Sequence, residues 1–182
     1  MGREKILLPF GPSTMLETVL AKLAGAGVPR VAVILRPDLP EAQRIASAAG
    51  AEVLINPDPD DEMLASIRLG VALLLPTVDV LFIWPADHPA VAPDTLRLLI
   101  DRASRQTALL PVHRGRRGHP ALVGSDVLAG IGEIPRNEGL RWLWRERADA
   151  VREVEVDDPG VIENLDDPGI YERARRRGEE PE

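Results

Sequence analysis

Val80-Leu81-Phe82-Ile83-Trp84-Pro85-Ala86-Asp87-His88-Pro89 is an unbroken apolar run closed off by a proline-flanked acid. A run with no polar face reads as a strand buried on both sides, as in a parallel sheet covered by helices. In open α/β sheets, ligands bind beyond the carboxyl ends of the strands. Asp87 stands at that place, on a turn stiffened by Pro85 and Pro89. A carboxylate there suits a hard cation. The same spacing also fits a turn aspartate that accepts from local backbone amides.

Outward from this run, short apolar stretches alternate with helical ones. Val31 to Leu35 and Glu52 to Ile55 read as further strands, and Val78 to Trp84 bounds the run itself. Helices are expected over Thr14 to Ala26, Pro40 to Ala49, Asp61 to Leu75 and Pro93 to Ser104. Pro40 suits a first helical turn, and Gly50 suits a stop. This alternation implies a mostly parallel sheet with helices on both faces. The second half is less regular. Strands are expected over Ala108 to Val112, Ala121 to Val123 and Val151 to Val156, the last a half-exposed edge strand by its alternation. A polar, mobile loop is expected over Arg114 to Gly118. Helices are expected over Asn137 to Arg147 and from about Pro168 to Arg177.

The chain has 182 residues, 45% of them apolar, and this suits one domain spanning 1–182 with a sizeable core. Its net charge of −7 argues against a nucleic-acid or anionic-membrane surface, which needs clustered positive potential. The absence of cysteine excludes disulfides, thiolate nucleophiles and zinc–cysteine sites. Three histidines without metalloprotease-like spacing make a zinc site a poor reading. The most apolar helical stretch, Leu69 to Leu75, is too short to span a bilayer, so a cytoplasmic location is expected.

Further stretches carry chemistry. Gly118-His119-Pro120 places a histidine beside a glycine that permits close backbone approach. Asn164-Leu165-Asp166-Asp167-Pro168 offers amide and carboxylate oxygens, and it also fits a helix N-cap before a proline. Lys5 lies in Met1-Gly2-Arg3-Glu4-Lys5-Ile6-Leu7-Leu8-Pro9. Asn56-Pro57 precedes Met63, Ser66, Ile67, Arg68 and Gly70.

In their order and spacing these segments resemble the MobA-like nucleotidyltransferases. These include enzymes that attach CMP or GMP to the molybdenum cofactor. The resemblance covers almost the whole chain. It implies a three-layer, Rossmann-like α/β nucleotidyltransferase fold. The implied reaction moves CMP or GMP from CTP or GTP to a phosphorylated acceptor such as molybdopterin, releasing pyrophosphate. Mg2+ would be held by Asp87, Asn164 and Asp166. Lys5 would reach the triphosphate and act with Asp87 in catalysis. Asn56, Ser66 and Arg68 would border the nucleotide, and Gly118, His119 and Pro120 the acceptor. A molybdoenzyme is the implied protein partner.

The chain departs from the family pattern in several places. Asn164 stands where relatives carry an acid, and Asp167 where they carry a threonine. Glu62 replaces a glycine, and Leu64 and Ala65 replace small hydroxyl residues. The family signature also begins with a strand and a glycine-rich phosphate loop ahead of the Met-Gly at which this sequence opens. Weak nucleotide binding and slow turnover are therefore expected of the chain as written. A binding or scaffold protein without turnover is the alternative.

Overall fold

A computed structural model describes residues 5–57 and 63–165. After a short 3-10 turn at Lys5–Leu7, the strands β1 (Pro9–Phe10) and β2 (Ser13–Thr14) form a small hairpin. Helix α1 (Met15–Gly25) follows. Thr14 and Glu17 start it reciprocally: the Glu17 amide donates to Thr14 Oγ1 at 3.2 Å, and the Thr14 amide donates to Glu17 Oε2 at 2.8 Å. Next come β3 (Ala32–Leu35), α2 (Pro40–Ala48), β4 (Glu52–Ile55), α3 (Met63–Leu74), β5 (Val80–Ile83) and α4 (Pro93–Asp101). The second half contains β6 (Ala108–His113), β7 (Arg116–Arg117), β8 (Ala121–Gly124), α5 (Ser125–Leu128), α6 (Leu140–Glu146) and β9 (Val151–Glu155).

The α/β layering read from the sequence is present, and strand alternation shows how it is built. Leu81 and Ile83 of β5, Ala108 and Leu110 of β6, and Ala121 and Val123 of β8 face one side, against α3, α5 and α6. Val80, Phe82, Leu109 and Leu122 face the other, against Leu96 and Leu99 of α4. A third cluster joins Leu16 and Leu20 of α1 to Ala42, Ile45 and Ala46 of α2 under Leu35 of β3. Each face is thus covered, as a sheet with two apolar faces requires.

The sheet is mixed rather than mostly parallel. β3 pairs parallel with β4 as a two-stranded sheet among the described residues, and β6 pairs parallel with β9 in the five-stranded sheet. β5 pairs antiparallel with β8, and β6 runs antiparallel to both β8 and β7. These pairings come from chain reversals in the second half, which the first half's repeating strand–helix pattern did not announce. Arg114 to Gly118 is not an open loop either. With Arg114 at φ 51° and Gly115 at φ 74°, the chain turns tightly and Arg116–Arg117 folds back onto β6.

β3 and β5 are less buried than their apolar composition predicts, and the sheet order gives the reason. Among the described residues, β3 pairs only with β4 and β5 only with β8. Between them lies an apolar cleft of about 680 Å³, lined by both strands and roofed by Leu16, Val19, Leu20 and Leu23 of α1.

Two glycines bring the loops at the sheet edge together. A Cβ on Gly160 would overlap the Ala90 carbonyl, and one on Gly118 would overlap the Val161 carbonyl. The 3-10 turn Pro159–Ile162 therefore lies backbone-to-backbone between the loop after β5 and the loop before β8. Gly160→Ala is expected to destabilise the fold by ~1–3 kcal/mol through overpacking. Gly25→Ala, at the end of α1 with open space around it, should instead be neutral or stabilising by up to ~1 kcal/mol. Urea denaturation of both variants checks the contrast, and equal effects would dismiss the close-approach account.

Candidate active site

Asp87 sits just past the carboxyl end of β5, in a turn closed by the His88 amide donating to the Pro85 carbonyl at 3.2 Å. The indole of Trp84 donates to the His88 carbonyl at 3.1 Å. The Leu165 amide donates to the Asp87 carbonyl at 3.2 Å, so the 164–165 segment lies against the same edge. The Asp87 side chain is 26% exposed, which leaves it open to a ligand. Its Oδ1 is nevertheless buried and accepts no hydrogen bond, and His88 Nε2 stands 3.9 Å from it. The local-capping alternative for this carboxylate therefore loses its Oδ1 half.

His119 meets this corner from the other side. Its ring centroid is 4.8 Å from that of His88, and its amide donates to the Val161 carbonyl at 2.7 Å. The Gly118 amide donates to the Pro111 carbonyl at 2.8 Å, and Pro120 is fully buried. Burial pushes the His119 ring down to about 4, and His88 adds to the effect. Burial also lowers His88, against the opposing pull of Asp87. Both rings are therefore neutral at physiological pH. Nδ1 of each is buried without a partner. The two ring nitrogens and Asp87 Oδ1 thus form a buried polar corner without hydrogen-bond partners among the described residues, while the rest of the Asp87 side chain is partly exposed.

Asn56, Ser66, Arg68 and Lys5 lie on or next to other elements. The Asn56 amide donates to the Leu35 carbonyl at 2.8 Å, and its Nδ2 donates to Ser66 Oγ on α3 at 3.2 Å, tying the end of β4 to that helix. Arg68 turns its guanidinium onto the carbonyls of Ile134 at 2.6 Å and Ile131 at 3.4 Å, an attachment within the fold. Lys5 is exposed in the first 3-10 turn, and its neighbour Ile6 lines the cleft. Ser66, Pro85 and Ala86 also line it, so the cleft runs up to the residues preceding Asp87. Asn164 is half-buried beside Leu165. Asp166, and the helix expected after Pro168, lie outside the described residues.

Sequence reasoning missed Asp158. Its buried carboxylate accepts from the Ala92 amide at 2.8 Å, Thr95 Oγ1 at 2.7 Å and the Gly160 amide at 2.9 Å. It thus joins the start of α4 to the turn that supports His119 and Asp87. Its signal was available: an aspartate directly before Pro159 is a cap in waiting.

Residues 1–151 match the MobA-like NTP transferase domain family. The chain belongs to that family. It is similar to the molybdenum cofactor cytidylyltransferase of Escherichia coli (strain K12), 26% identical over 97% of this chain and 90% of the relative. It superposes on a nucleotidyl transferase from Methanothermobacter thermautotroptrophicus with a TM-score of 0.83, at 26% identity over 96% of this chain and 84% of that one. It also superposes on Rv0371C of Mycobacterium tuberculosis H37Rv, solved in complex with manganese, with a TM-score of 0.82, at 26% identity over 96% and 93% of the two chains. The fold is that of the nucleotidyltransferases, and the chain is an enzyme of that class. Among the described residues, no helix is long and apolar enough to cross a membrane.

The buried histidine gives a testable acid limit. A ring with folded pKa about 4 and an ordinary value of 6.5 stabilises the fold fully above pH 6.5. That stability is lost as pH falls through 4. Urea denaturation at pH 7 and pH 4 should show wild type losing on the order of 2–3 kcal/mol more than His119→Gln. Equal losses would mean the ring is not held neutral by the fold.

Proposed function

We propose that this enzyme transfers CMP from CTP, with GTP as the second donor, to a phosphorylated acceptor of the molybdopterin type. The similarity to a cytidylyltransferase supports the donor and the acceptor. An oxygen of the acceptor's phosphate attacks the α-phosphorus, the bond to the bridging oxygen breaks, and pyrophosphate leaves. The observation that carries the reading is the partly exposed Asp87 carboxylate at the carboxyl end of β5, with the 164–165 segment hydrogen-bonded to the Asp87 backbone.

The donor set fits Mg2+. Asp87 and Asn164 offer hard oxygen atoms, and Asp166 follows in sequence. Among the described residues, no cluster of three or more His, Asp or Glu side chains suits a metal. Mg2+ usually takes one or two carboxylates and completes its shell with water and substrate phosphates. When bound, the ion would neutralise charge on the triphosphate. The chain's own part is positioning. Asp87 holds its carboxylate where the phosphates arrive, and His88 and His119 wall the corner as neutral, polar rings. Asn56 and Ser66 are proposed to border the base, and Gly118, His119 and Pro120 the acceptor. Lys5 is proposed to meet the triphosphate, while the Arg68 guanidinium is held on the carbonyls of Ile131 and Ile134. Cytoplasmic action and delivery to a molybdoenzyme belong to the same reading.

The cleft between β3 and β5 bears on rate. A strand seated there would find an open edge on each side, and a glycine-rich turn after it would direct backbone N–H groups at the phosphates. Each such donor is worth roughly 1.5–3 kcal/mol, so two or three govern turnover by roughly 3–9 kcal/mol.

Calorimetric titration of CTP and GTP, with and without Mg2+, tests the metal site. Asp87→Ala should abolish the Mg2+-dependent part of binding and leave the fold intact, because a loop carboxylate contributes little to stability. Equal affinity in wild type and variant would refute the role. Pyrophosphate release with molybdopterin as acceptor tests the reaction. Binding without release would favour the binding-protein alternative.

A further inference from the structure

Lys22 lies in the third turn of α1, within Ala21-Lys22-Leu23-Ala24-Gly25, where a helical cation would ordinarily reach for water. It turns inward instead. Its Nζ donates to the Pro89 carbonyl at 2.6 Å and to the Val91 carbonyl at 2.7 Å. Burial pushes the amine down to about 8, against the opposing pull of Asp158. A half-buried amine is costly, and an apolar side chain of similar length would fill the same space at lower cost. The amine does what a methyl group cannot: it fixes two carbonyls of the segment that follows Asp87.

The carbonyls of that segment show how completely it is held. Pro85 O accepts from His88 N, Asp87 O from Leu165 N, and His88 O from the Trp84 indole. Pro89 O and Val91 O accept from Lys22, and Ala92 O from the Thr95 amide. On the far side, the Asp158 carboxylate takes the Ala92 amide. Residues 89–92 are therefore clasped between an ammonium on α1 and a carboxylate ahead of the Pro159–Ile162 turn. Two residues upstream of Pro89 stands Asp87, whose Oδ1 is unpartnered. Its direction depends on where its backbone is pinned.

We propose that Lys22 is a positioning residue for nucleotidyl transfer, setting the place of the Asp87 carboxylate through the carbonyls of Pro89 and Val91. It touches neither nucleotide nor acceptor. Its effect on turnover rests on the function proposed above, whereas its hold on the loop does not.

Two variants and three readouts, amide exchange, calorimetry and steady-state kinetics, test this. Lys22→Met keeps the length and removes the donors, and Lys22→Arg keeps cationic donors. Amide hydrogen exchange reads the loop directly. Lys22→Met should raise exchange across residues 86–92 and at Leu165 by roughly tenfold, with α2 and β6 unchanged, and Lys22→Arg should restore most of the protection. Calorimetry with CTP and Mn2+ reads the carboxylate. Lys22→Met should weaken metal-dependent CTP binding by about tenfold and lower kcat more than it raises KM. Wild-type exchange over residues 86–92 in Lys22→Met would overturn the proposal. So would protection lost uniformly across the fold without rescue by Lys22→Arg, which would mark Lys22 as a packing residue only. If wild type itself shows no metal-dependent CTP binding, the proposed reaction fails and positioning for it fails too, while the exchange data still decide whether Lys22 holds the loop.

Discussion

The turn Pro159–Ile162 is laid flat between two loops, with Gly160 against the Ala90 carbonyl and Gly118 against that of Val161. The candidate site depends on this contact. Backbones approach so closely only where no Cβ intervenes. The loops it joins carry Asp87 and His88 on one side and His119 on the other. The buried Asp158 secures the stack with three donors, two of them backbone amides. A buried carboxylate is tolerable only when its lone pairs are used in this way. The corner therefore gets its rigidity from backbone geometry rather than from large side chains.

This arrangement leaves the site's polarity unspent. Surface ion pairs such as Arg117–Glu153 and Arg44–Glu41 are exposed and contribute little. At the corner, by contrast, polar atoms are buried and some are unmatched. The two imidazoles are kept neutral by desolvation, so Asp87 is the formal charge of the group. An anionic nucleotide is not repelled by the rings, and a cation meets a carboxylate that no cationic side chain among the described residues has neutralised.

Much of the fold could be read from the sequence because short apolar runs and helical periodicity are local signals. Glu52–Ile55 and Pro40–Ala48 fall within a residue of their expected bounds. Strand partners are not local. Nothing within Val80–Ile83 says that it will run antiparallel to Ala121–Gly124, and the expectation of a mostly parallel sheet failed there. The hairpin at Arg114–Arg117 was signalled by Gly115 but hidden by a charge pattern that reads as an open loop. In the site, Asp87 and His119 were visible through their proline-flanked motifs. Lys22 carried no signal, because a lysine between alanine and leucine in a helix looks like any solvent-facing cation. Its role is set by residues 67 and 69 positions away.

The segments meeting at Asp87 are widely separated along the chain: residues 85–92, 118–120 and 158–165. Contacts so distant in sequence form late and slowly, since loop closure must precede any gain from them. During synthesis the strands of the first half can emerge and begin to associate well before Asp158, Gly160 and Leu165 leave the ribosome. Until then the Asp87 loop lacks the carboxylate that takes the Ala92 amide and the amide that takes its own carbonyl. The nascent protein thus passes through a stage with much of its core but no organised corner, and the corner is completed only once residues 158–165 have been made.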